Sequence, residues 1–160
     1  MNIYYLHLGS NQGDRKSYLN KALELISTQI GNITKQSSVY ETEPWGLKDQ
    51  PLFLNMAVEV KSEKSPEAVL PFLKNIELSL GVEHKEKWGP RNIDIDILYC
   101  NHDVLDTVHL KIPHPHIYDR NFVLIPLMEI AGDYEDPVKK VTIDELYDLC
   151  KDESEVFMYE

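Results

Sequence analysis

The sequence predicts an α+β fold, with two helices packed on one face of an antiparallel sheet and a helical extension at the C-terminus. Three observations carry this expectation. Runs of strand-like and helix-like hydrophobic period follow one another in the order strand, helix, strand, strand, helix, strand. Both helical runs stop at a glycine, Gly31 and Gly81, the residue best suited to end a helix. No repeat, linker or low-complexity segment divides the 160 residues, so the length fits one domain, residues 1–160, burying roughly two thirds of its unfolded surface.

Residues 3–8 form a short apolar, aromatic-rich run that ends at Gly9 and reads as the first strand. Leu19, Ala22, Leu23, Ile26 and Ile30 then recur at helical spacing. Residues 33–40 read as one second strand, and the turn-rich stretch ETEPWGLKDQP separates it from a third over residues 52–60. In that third strand Phe53, Asn55 and Ala57 share one face, while Leu54, Met56, Val58 and Val60 share the other. Ser65 followed by Pro66 starts the second helix with a capping hydroxyl and a first-turn proline. Val69, Leu70, Leu73, Ile76 and Leu80 supply its buried stripe, and Pro71 is expected to bend it early or delay its start. NIDIDILYC is the fourth strand, turned into a short hairpin at His102 and Asp103. Residues 123–131 and 142–150 form two C-terminal helices, the second opened by a capping box of Thr142 and Glu145. The pattern as a whole is ferredoxin-like, βαββαβ, and it leaves the second sheet face free for a ligand wherever the extension does not cover it.

Charge narrows the function. With 27 acidic residues against 16 Lys plus Arg, the net charge of −11 opposes loose binding to nucleic acid or anionic lipid. An anionic ligand must be held locally, and Lys85, Lys87, Arg91 and Arg120 are the cations placed to do so. No run approaches the roughly 18 apolar residues of a membrane span, and the N-terminus lacks a secretory leader. A cytoplasmic, monomeric protein is the expectation. Cys100 and Cys150 sit in apolar runs and read as structural.

The chemistry concentrates in WGPRNIDIDILYC. Strand alternation sends Ile93, Ile95 and Ile97 to the core and Asp94 with Asp96 to the opposite side. Two carboxylates about 5 Å apart repel by roughly 3 kcal/mol at an effective dielectric near 20, so the pair needs solvent screening, a shared proton or a cation. Arg91 and the neighbouring lysines favour the cation, because acid oxygens beside cationic donors suit a phosphate chain bound with magnesium. No Gly-x4-Gly-Lys-Ser/Thr loop is present, so a nucleotide would bind without one.

A second polar set surrounds the third strand. Asn55 among apolar neighbours suits the edge of a flat heterocycle, with Phe53 and Phe122 able to sandwich the ring and the loop of Trp45 and Gly46 able to supply backbone groups. IPHPHIYDRN adds His114, His116 and Arg120. The set lacks cysteines or a helical His spacing for zinc, and phosphate contact by His114 and Arg120 fits better.

Three blocks, YETEPWGLKDQPLFLN, WGPRNIDIDILYC and PHPHIYDRNFVLIPL, together with LGSN at residues 8–11, resemble the signatures of the 6-hydroxymethyl-7,8-dihydropterin pyrophosphokinase family of folate biosynthesis. The resemblance implies transfer of pyrophosphate from ATP to the pterin hydroxymethyl group, with release of AMP. It implies two Mg2+ ions held by Asp94 and Asp96, with Arg91 also in the catalytic set. Pterin contacts fall to Thr42, Pro44, Trp45, Phe53, Asn55 and Phe122. Those to ATP fall to Glu77, His84, Lys85, Lys87, Trp88, Arg91, His114 and Arg120. Where many members carry several arginines, this chain has VEHKEK, so Lys85 and Lys87 with His84 stand in for them. Two other readings of the residues compete: another magnesium enzyme using Asp-x-Asp, or a non-catalytic ferredoxin-like sensor of a small ligand.

Overall fold

Tyr4, Leu6 and Leu8 alternate along the first strand, β1 (Asn2–Ser10), and all three are fully buried. The same alternation organises the other central strands of the computed structural model, which describes residues 1–43, 51–81 and 92–159. After β1 come α1 (Arg15–Gln29), β2 (Asn32–Gln36), β3 (Tyr40–Thr42), β4 (Phe53–Ser62), α2 (Pro66–Ser79), β5 (Asp94–Cys100), β6 (Leu105–Asp106), β7 (Lys111–Ile112), α3 (Asn121–Ala131), α4 (Ile143–Leu149) and β8 (Val156–Met158). The main sheet has the order β5-β1-β4-β3-β8, with β2 also paired to β4, and its pairings are antiparallel. This is the ferredoxin-like arrangement the periodicity predicts.

Two hydrophobic cores sandwich the sheet. Leu6, Leu8, Met56, Val58, Val60, Ile95 and Ile97 pack with the buried stripes of α1 and α2. Each fully buried aliphatic side chain there contributes about 1.5–3 kcal/mol. The other face is not free: Tyr5, Ala57, Leu98 and Tyr99 are covered by Val123, Leu124 and Leu127 of α3 and by Ile143 and Leu146 of α4. The C-terminal extension thereby confines any open part of that face to one end of the sheet.

Local chemistry sets the helix ends. Asp14 caps α1 by accepting from Ser17 N at 3.2 Å, and Ser65 caps α2. Pro71 lies inside α2, but the helix still starts at Pro66 and runs unbroken to Ser79. Gly81, at φ +85°, closes it in the left-handed conformation. Gly31 serves a different need, because a Cβ there would overlap the backbone carbonyl of Lys61. The capping box of Thr142 and Glu145 forms as expected.

Four features depart from the sequence expectation. Residues 33–40 form two strands instead of one, because Ser37 Oγ accepts from Ala57 N at 2.9 Å and the Glu129 carboxylate accepts from Ser38 N at 3.0 Å, taking over from the ladder. His102 and Asp103 do turn the chain, with Asn101 at φ 52°, but the hairpin beyond pairs β6 with β7 and not with β5. The outer edge of β5 is met instead by His114 N, which donates to Leu98 O at 3.1 Å. The short edge strand β8, paired with β3, was not anticipated. Among the described residues no helix is long and apolar enough to cross a membrane.

Candidate active site

At one end of the second face the cross-strand partners form two polar rows. Asp94 lies opposite Gly9, which lies opposite Asn55, and next to them Asp96 lies opposite His7, which lies opposite Ala57. Ile93, Ile95 and Ile97 are buried while Asp94 and Asp96 remain partly exposed, as alternation requires. Gly9 keeps the middle of the upper row low. A Cβ built there would lie 3.5 Å from Asn55 Oδ1 and Phe53 Cδ1 and 3.7 Å from His7 Cε1, so glycine leaves open the space between carboxylate and amide.

Negative charge accumulates around Asp96. Its carboxyl is raised well above the ordinary range by burial, then by the charges of Asp94 and Glu77. Glu77 of α2 is 1% exposed, and its Oε2 accepts from Ile95 N at 2.9 Å while Oε1 lies 3.5 Å from Lys74 Nζ. Burial and then Asp94 push the Glu77 carboxyl up to about 7. Glu77 thus sits behind the carboxylate pair and holds the outer edge of β5, and it does not line the cleft described below.

His114 Nε2 is 3.8 Å from Asp96 Oδ1, and His114 Nδ1 accepts from His116 N at 3.1 Å. With Nδ1 engaged as an acceptor, the proton of the neutral ring resides on Nε2, facing the carboxylate. Burial, followed by the charge of Arg120, pushes this imidazole down to about 4, so His114 offers a hydrogen bond and not a positive charge. Arg120 is 7% exposed, and its guanidinium lies 5.5 Å from the Phe122 ring centre. Phe122 in turn lies 5.8 Å from the ring of His7. Asn55 and Thr42 are both buried, and Asn55 Nδ2 donates to Thr42 Oγ1 at 2.7 Å.

The structure therefore gathers Thr42, Phe53, Asn55, Asp94, Asp96, His114, Arg120 and Phe122 at one end of the sheet, with Glu77 behind them. Pro44, Trp45, His84, Lys85, Lys87, Trp88 and Arg91 lie outside the described residues. Sequence reasoning missed His7, whose buried Nε2 has no hydrogen-bond partner among the described residues; its place in the alternation with Tyr5 and Gly9 was the available signal. It also missed a cleft of about 270 Å³ beside Asp96 and His114, lined by Leu70, Lys74, Ile97, Val108 and Leu110 among others. The β6–β7 hairpin contributes Val108, His109, Leu110 and Lys111 to that lining, and no local pattern announces it.

The family model for 7,8-dihydro-6-hydroxymethylpterin-pyrophosphokinase (HPPK) matches residues 5–132. This chain belongs to that family. It is accordingly an enzyme of the pyrophosphokinase class. The chain is 47% identical over 135 residues to the 2-amino-4-hydroxy-6-hydroxymethyldihydropteridine pyrophosphokinase of Bacillus subtilis, covering 84% of this chain and 81% of the relative. A protein of the same name from Aquifex aeolicus is 41% identical over 145 residues, covering 91% and 90%. Among solved structures, Plasmodium falciparum HPPK-DHPS with pteroate is similar at a TM-score of 0.77 and 19% identity, covering 92% of this chain. At that identity the likeness concerns the fold, and this chain spans 42% of the longer protein.

Membership of a pyrophosphokinase family generally implies a divalent metal, and the donors here fit one. Asp94 and Asp96 offer hard carboxylate oxygens from one strand face, and a cation relieves the repulsion from Asp94 that adds to burial in raising Asp96. Among the described residues no group of three or more His, Cys, Asp or Glu side chains forms a metal cage. One or two carboxylates completed by substrate phosphates is the usual way magnesium is held.

Proposed function

We propose that this chain transfers pyrophosphate from ATP to the hydroxymethyl group of 6-hydroxymethyl-7,8-dihydropterin, releasing AMP, in the path to tetrahydrofolate. Family membership supports the reaction class. The observation that carries the site reading is the row of Asp94, Gly9 and Asn55, with a carboxylate and a buried amide on either side of an open glycine and Asp96 in the next row. The amide, paired to Thr42 and flanked by Phe53, suits the polar edge and flat face of a pterin, with Phe122 on α3 as the second aromatic contact. The neighbouring cleft suits the base of ATP, and leads its phosphates toward Asp96, His114 and Arg120.

In this reading Asp94 and Asp96 hold two Mg2+ ions, which when bound neutralise charge on the phosphate chain. The chain's own residues position the reactants. His114 donates from Nε2 without adding charge, and Arg120 supplies a buried guanidinium beside the carboxylates. Glu77 fixes β5 from behind by bonding Ile95 N, acting on the reactants through Asp94 rather than by contact. The resemblance extends the ATP set to His84, Lys85, Lys87, Trp88 and Arg91, and the pterin set to Pro44 and Trp45. The hydroxymethyl oxygen attacks the β-phosphorus in line and AMP departs, a transfer that depends mainly on alignment and charge neutralisation. The same reading treats residues 1–160 as one domain acting as a monomer in the cytoplasm.

AMP release from ATP, measured with and without the pterin alcohol, tests the proposal. AMP formed only when ATP, magnesium and the pterin are all present is the expected result. AMP formed equally without pterin selects a different transferase, and none under any condition selects a binding module.

A further inference from the structure

The first turn of α3 presents Arg120 and Phe122 to the site, yet Arg120, at the N-cap position, makes no side-chain cap bond to the helix amides. The cap comes from the distant C-terminal tail. Asp152 Oδ2 accepts from Asn121 N at 2.9 Å, and the Asp152 carbonyl accepts from the Asn121 side-chain amide. Asp152 Oδ1 accepts from Ser154 N at 2.9 Å, which shapes the tail around its own carboxylate. A carboxylate suits this place twice over, since it satisfies a free amide and meets the positive end of the helix dipole.

Immediately beyond, the tail becomes β8. Val156 pairs with Thr42, and Tyr159 N donates to Val39 O at 2.8 Å. The Tyr159 ring lies 5.7 Å from the Arg15 guanidinium, which also bonds Glu41 at 2.7 Å and Leu52 O at 2.9 Å. The C-terminal half of α3 already meets the β3–β4 pair through Glu129, which accepts from Ser38 N and Tyr40 OH; the tail adds a second tie at the opposite end, between the first turn of α3, bearing Phe122, and β3, bearing Thr42. Residues 151–155 are the connection between them. Asp152 lies beyond the residues matched by the family model.

We propose that Asp152 is a positioning residue for the pterin substrate: by capping α3 through Asn121 it holds Phe122 at the working distance from Thr42 and Asn55. The proposal rests on the assignment of Phe122, Thr42 and Asn55 as pterin contacts. Arg120 has a second anchor, the charges of Asp94 and Asp96, so the nucleotide side of the site is less dependent on the cap.

Steady-state kinetics of the full chain carrying Asp152→Ala or Asp152→Asn test it, together with pterin binding in the presence of a non-hydrolysable ATP analogue. Asp152→Ala is expected to raise the pterin KM about tenfold while the ATP KM and kcat stay within about twofold, since small misplacements of a positioning contact carry effects of this order. Asp152→Asn keeps an acceptor oxygen and should restore most of the pterin affinity. A pterin KM that stays at the wild-type value while the thermal midpoint falls makes the tail a mere stabiliser and overturns the proposal, as does an equal rise in both KM values. Should Asp152→Ala not fold, Asn121→Ala, which removes the side-chain half of the clamp, must raise the pterin KM selectively; an unchanged value is equally decisive against it. Wild-type protein that binds no pterin would instead sink the functional reading itself.

Discussion

On the face covered by α1 and α2, the central inward positions of β1, β4 and β5 are apolar, as Leu6, Leu8, Met56, Val58, Ile95 and Ile97 illustrate. On the opposite face the same three strands change character partway along. Tyr5, Ala57, Leu98 and Tyr99 lie under α3 and α4, while His7, Gly9, Asn55, Asp94 and Asp96 occupy the far end. The difference teaches how labour is divided across a pleat one residue thick. One side stabilises, and the end of the other stores unfavourable electrostatics: a buried imidazole pushed down to about 4 at His7, and a carboxyl raised at Asp96 by burial and then by its like-charged neighbours. Such cost is expected where a ligand, and not the fold, is to satisfy the groups.

Three substitutions would break or sharpen this contrast. The largest effect is expected for Asp94→Ala, which removes an acid oxygen from the site and no core contact. Turnover should fall about a thousandfold with the thermal midpoint nearly unchanged; a variant that keeps its rate ends the metal-ligand assignment. Leu6→Ala, next along β1 from His7 and facing the helices, should do the reverse. It should lose about 3 kcal/mol of stability in denaturant titration, with kcat of the folded fraction close to wild type.

The smallest effect distinguishes the stored cost directly. Because the folded state raises the Asp96 carboxyl, the native protein binds that proton more tightly than the unfolded chain does. Its contribution to stability is therefore fully present at low pH, and declines as pH rises past the ordinary carboxylate range. Asp96→Asn should consequently raise the thermal midpoint of chelator-treated protein at neutral pH while abolishing turnover. A lowered midpoint would show that the carboxylate pair stabilises the fold.

Much of this was legible in the sequence because it depends on period two. The orientation of Asp94 and Asp96, the two faces of β4, and the caps at Ser65 and Thr142 all follow from neighbours within a few residues. What escaped depends on partners far along the chain. The break between β2 and β3 needs Glu129, the cleft needs the hairpin carrying Val108 and Leu110, and β8 is three residues after an acidic stretch, too short to announce itself. The position of Glu77 was inaccessible for another reason. Helical spacing shows that Ile76 is buried, but only the crossing of α2 over β5 turns the next residue toward Ile95 N.

The pairing of β5 with β1 slips by one residue at Leu98, so that Ile97 faces Leu6 while Tyr99 faces Tyr5. Leu98 and Tyr99 both enter the second core, and Cys100 returns to the first. This extra residue acts as a phase shifter. It lets the acids at even positions and the aromatic at an odd position look the same way, with Tyr99 anchored to Asp136 in the extension. Were the strand to pair regularly at its present length, its two halves would be at odds: either the tyrosine would abandon the aspartate that holds it, or both acids would be swung into hydrocarbon.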